Sequence, residues 1–149
     1  MRRIGYVKED SGKWRYRWTA LLALSIVLTG CASLKTKQRM EELDQSITAY
    51  TSALRWGHYE NAAAYRLHRD KGPVRPLDPE RFEGIRVISC EEVERALNKV
   101  QTEAAVTLSI SYYFEDAGIA KTITDRQLWW FDPAQEHWFL DGDLPYFLR

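Results

Sequence analysis

Residues 103–114 read EAAVTLSISYYF. Ala104, Val106, Leu108, Ile110, Tyr112 and Phe114 share one parity, while Ala105, Thr107, Ser109 and Ser111 take the other. Successive side chains of a strand point to opposite faces, so this stretch is a strand with one face in a core. The other face looks toward water or a polar cleft, as antiparallel sheets allow.

The neighbouring segments repeat the strand signal. Upstream, FEGIRVISCEEVERALN (residues 82–98) is long, mixed and expected to be bulged; downstream come GIAKTITDRQLWWF (118–131) and HWFLDG (137–142). The links EDAG and DPAQ are short turns, and short links between consecutive strands imply an antiparallel meander of about four strands. KGPVRPLDPE, with Pro73, Pro76 and Pro79, is a loop.

Before that loop the period changes. Met40, Leu43, Ile47, Tyr50 and Leu54 recur at steps of three and four, which makes one apolar stripe on a helix. Gly57 is placed to cap it. YENAAAYRLH (59–68) reads as a second, shorter helix. The expected fold is therefore α+β, an N-terminal helical hairpin packed on one face of a curved antiparallel sheet. Leu108, Ile110 and Phe114 are expected to meet Leu43, Ile47 and Leu54.

The N-terminus is different in kind. Residues 1–18 carry Arg2, Arg3, Lys8, Lys13, Arg15 and Arg17 against Glu9 and Asp10, Thr19 to Leu28 is aliphatic, and Thr29-Gly30 precede Cys31. A basic region, a short apolar run and small residues form a secretory signal. The run is about half the ~20 residues that a membrane-spanning helix needs. Leu28-Thr29-Gly30-Cys31 resembles the lipobox of bacterial lipoproteins. That resemblance implies cleavage before Cys31, diacylation of its thiol and acylation of its new amino group. It divides the chain into a signal peptide (1–30), a lipidated tether (31–38) and one domain (39–149). Ala32 follows the cysteine where an Asp commonly retains a lipoprotein at the inner membrane, so the resemblance implies the outer membrane, facing the periplasm. A membrane through the lipid anchor is the first expected partner.

Of the 21 basic and 21 acidic residues, six and two lie in the signal, so the remaining 119 residues hold 15 against 19 and are mildly acidic. With no basic stripe, nucleic acid is a poor partner. After acylation of Cys31 the second cysteine, Cys90, stands alone in an apolar run, so no disulfide framework is available and a buried inert thiol is expected.

The order of elements and the ending LWWFDPAQEHWFLDGDLPYF are similar to nuclear-transport-factor-2-like (cystatin-like) lipoproteins, in which a Trp-bearing hairpin precedes a Leu-Pro-aromatic tripeptide, here Leu144-Pro145-Tyr146. That fold hosts isomerases, dehydratases, pocket binders and structural subunits, so it does not select a function.

Motifs that carry chemistry are missing. His58, His68 and His137 have no metal-ligand spacing, and Asp141-Gly142-Asp143 is too short for a calcium loop. No GxSxG, phosphate-binding glycine loop or Cys/His pair occurs, so no metal and no cofactor is expected. Two features remain. Counting by twos from Ile119 puts Asp125 and Gln127 on the face of Ile123, Trp129 and Phe131 if the strand is regular; there the pair would line a ligand-binding mouth of the cone that the resemblance implies, and a carboxylate against apolar walls suits a general base. A bulge would instead turn Leu128 and Trp130 inward and Asp125 outward, and such a bulge, or simple exposure of Asp125, is preferred because no second catalytic residue can be placed. Adjacent Trp129 and Trp130 face opposite sides of a regular strand, so one of them is expected to be exposed as an interface. The sequence therefore favours a non-enzymatic binding or assembly module that contacts an envelope protein or a small apolar ligand. The alternative is a small pocket enzyme of ketosteroid-isomerase or dehydratase type using Asp125.

Overall fold

A computed structural model describes the backbone of residues 12–149 and the side chains from Ser33 onward. Cys31 and the signal peptide through Gly30 lie outside the residues whose side chains are described. The chain divides into two compact units, Met1–Gln38 and Arg39–Arg149. Among the described residues no helix is long and apolar enough to cross a membrane.

Helix α1 (Gly12–Arg55) enters the second unit at Arg39. Its stripe is buried as the periodicity requires: Leu43, Ile47, Tyr50 and Leu54 lie in the core, with Met40 packed at its margin. Gly57, at φ 70°, stops the helix. Its N–H donates to the Leu54 carbonyl (3.2 Å) and the His58 N–H to that of Ala53 (2.8 Å), the paired bonds of a left-handed glycine cap.

A helical hairpin does not follow. Helix α2 (Tyr59–Ala63) is one turn long, and the chain then extends. Arg66 bridges Leu140 in parallel, with Leu67 N–H to Leu140 O at 3.1 Å and Leu140 N–H to Tyr65 O at 2.7 Å. Helical propensity in residues 64–68 yields to the unpaired edge of the last strand, whose polar backbone groups need partners.

The sheet is a four-stranded antiparallel meander in sequence order: β1 (Ile85–Leu97), β2 (Glu103–Phe114), β3 (Lys121–Asp132) and β4 (His137–Leu140). On β2 the alternation is complete, with all six apolar residues from Ala104 to Phe114 buried. Leu108, Ile110 and Phe114 share one cluster with Leu43, Ile47 and Leu54. The first strand is bulged twice, at Ile88 and Val93, where its register against β2 slips. Each bulge adds twist and curls the strand. After the second bulge Arg95 shares its face with core-facing Val106; it grips Glu92 through two bonds (2.8 and 2.7 Å) and reaches Asp44 on α1.

Candidate functional site

The register of β2 against β3 runs without a slip from Glu103↔Trp130 to Tyr112↔Lys121. No bulge intervenes, so Asp125 and Gln127 share the inner face with Ile123 and Trp129, and the preferred outward placement of Asp125 is corrected. The reason lies in β2, whose unbroken alternation leaves β3 a partner that it can follow residue for residue.

Three side chains on this face form a chain of hydrogen bonds. Trp129 Nε1–H donates to Gln127 Oε1 (2.9 Å), and Gln127 Nε2–H donates to Asp125 Oδ2 (2.7 Å). Trp129 is fully buried and Gln127 nearly so. A buried indole and amide must find partners, and each satisfies the other here. Tyr50 of α1 stands edge-on to Trp129 at 5.6 Å between ring centres, and its buried hydroxyl has no hydrogen-bond partner.

The electrostatics follow from burial. Asp125 is held above the ordinary carboxylate range because its charge is poorly solvated, an effect that the Gln127 bond partly offsets. Burial, and then the negative charge of Asp125, push the Tyr50 hydroxyl well above its usual value. The Cys90 thiol is pushed up to about 12 by burial first, with Asp125 and Glu91 adding, so it is an inert thiol.

An acid with a raised folded pKa binds its proton more tightly in the folded state. Stability therefore falls as pH rises from its unfolded value, ~3.9, through its folded value, and the deficit persists above. Asp125→Asn keeps an oxygen for Gln127 and removes the charge. The variant is expected to be more stable than the parent at pH 7, with the advantage fading as the pH falls below about 4. Urea unfolding at a series of pH values measures this, and a variant less stable at pH 7 contradicts it.

Trp129 and Trp130 do lie on opposite faces, yet neither is exposed. Trp130 Nε1–H donates to the Leu67 carbonyl (2.8 Å) and its ring lies 5.9 Å from that of Phe139. The extended segment at residues 65–67 covers the face expected to be free, and Leu128 is the exposed neighbour. The pair is structural packing on both sides of β3.

An open cavity of the domain lies elsewhere. It is an open groove of about 890 Å³ walled by α1, by residues 58–65 and by the β3–β4 turn with β4. Ala49, Ala53 and Ala64 keep its walls shallow, and His137 and Phe139 form one side. Glu42 Oε1 meets His137 Nδ1 at 2.6 Å, and the His137 ring stacks on Tyr65 at 5.8 Å. No sequence pattern marks this groove, because its residues come from three separated elements and each alone reads as ordinary surface. Among the described residues no group of three His, Cys, Asp or Glu is placed to hold a metal ion.

Comparison with protein-family models, with curated proteins and with solved structures finds no match to this chain.

Proposed function

We propose that this chain is a lipoprotein of the bacterial envelope, acylated at Cys31 and carried on the periplasmic face of the outer membrane. Its domain, a cone of the nuclear-transport-factor-2-like kind, works by binding and not by catalysis, on an envelope protein or a small apolar ligand. The observation that carries the binding reading is the contrast between two surfaces. Beside Asp125 the inner face is mostly filled: Tyr50, Leu108, Ile110 and Trp129 are without solvent exposure, while Asp125, Ile123 and Cys90 are half-buried. The groove beside α1 is open, partly aromatic, and edged with hydrogen-bonding Ser52, Asn61 and Gln135. Concave, mixed surfaces of this kind are where ligands and partner segments seat.

The enzyme reading keeps one supporting observation, a carboxyl of raised pKa near an unpartnered buried hydroxyl. One experiment separates the two. Ala49 is exposed on α1, and Arg is a good helix former there, so Ala49→Arg obstructs the groove without disturbing the core. In a strain lacking the protein, Ala49→Arg is expected to fail to restore the wild-type phenotype while Asp125→Asn restores it. The reverse pattern, with both variants folded and present at wild-type level, replaces binding with catalysis.

A further inference from the structure

We propose that the turn joining β1 to β2 is a second membrane contact, seated in the headgroup layer of the bilayer that holds the anchor; this rests on the reading of Cys31 as the acylated residue. The tip of the turn is Val100, 67% exposed, flanked by exposed Lys99 and by Leu97 at 40%. The turn is tied internally. Asn98 Oδ1 accepts from the N–H groups of Thr102 (2.9 Å) and Glu103 (3.3 Å), and Gln101 N–H donates to the Asn98 carbonyl (3.1 Å). Val100 is therefore presented outward by a fixed backbone.

Two facts aim this tip at the bilayer. Arg39, the first residue of the domain unit, donates from Nη1 to the carbonyls of Val100 and Gln101, both at 3.2 Å, so the turn sits where the tether enters. From Cys31 to Arg39 the chain spans eight residues, about 12 Å as part of helix α1 and at most roughly 28 Å if extended. The β2–β3 turn, carrying exposed Ile119, lies beyond the far end of β2, which is about 35–40 Å long. Because the tether joins the domain beside Val100, the Val100 end is the one nearer the attachment point along the chain, and the Ile119 end is the farther. The chemistry fits as well. A valine enters the acyl boundary at little cost, and Lys99 reaches anionic phosphates from a flexible apolar stem.

The test uses the full lipidated protein carrying Cys90→Ala, with an environment-sensitive fluorophore on Val100→Cys or, as control, on Ile119→Cys. Each is reconstituted in vesicles of phosphatidylethanolamine and phosphatidylglycerol, with and without spin-labelled lipid, and flotation checks the anchor independently. The expected result is several-fold quenching and a blue-shifted emission at position 100, with little of either at position 119. Protein that floats with the vesicles but shows equal, weak quenching at both positions overturns the second contact and leaves the anchor standing. Protein that does not float overturns the anchor, and the contact with it.

Discussion

Trp129→Ala is expected to remove about 3–5 kcal/mol of folding stability, the usual loss for a large buried aromatic. Domains of this kind are stable by about 5–15 kcal/mol, so the variant is at best marginal. Two losses combine. The indole is completely buried between Tyr50, at 5.6 Å, and Tyr65, at 5.8 Å, and its removal leaves a cavity under α1. It also strips Gln127 Oε1 of its donor in a place water does not reach, which costs about 1–3 kcal/mol on its own. Trp129→Phe separates the two, because it fills most of the volume but brings no N–H, and is expected to lose about 1–3 kcal/mol. Urea denaturation followed by circular dichroism reads both. A loss below about 1 kcal/mol for the alanine variant contradicts the packing described here.

Cys31→Ser is expected to release the protein from the membrane almost completely. The serine hydroxyl does not replace the thiol in acyl transfer, so the variant remains an uncut precursor or appears in the soluble fraction. Each buried CH₂ of an acyl chain contributes about 0.8 kcal/mol, and two or more chains convert a marginal attachment into a lasting one. Losing them therefore changes the bound fraction by orders of magnitude, more than Lys35 or Lys37 offers by attraction to lipid at ~1 kcal/mol each. Fractionation with mass spectrometry of the mature N-terminus checks this. Wild-type protein with an unmodified Cys31 contradicts the lipoprotein reading.

The filled inner face also bears on how the groove is read. Asp125 is half-buried at the end of the Trp129–Gln127 hydrogen-bonded chain, so its raised pKa is the cost of partly burying an acid. The groove draws on α1, the extended segment and β4, and its side is set by the Glu42–His137 contact.

Regular patterns in the sequence were enough for the elements that make their own case. The parity of residues 104–114 and the 3–4 spacing of Leu43, Ile47, Tyr50 and Leu54 state a periodicity that any partner must satisfy, and burial followed both. Gly57 ended α1 through its own backbone freedom, which is likewise local. Only the tertiary structure decided the rest. Whether Asp125 faced inward depended on register against β2, since a single slip inverts every side chain beyond it. Whether residues 64–67 stayed helical depended on the open edge of β4, and that edge in turn buried Trp130. The groove exists only where three elements distant in sequence meet. Local periodicity is written in a segment's own residues, whereas register, edge pairing and cavities belong to the partners it finds.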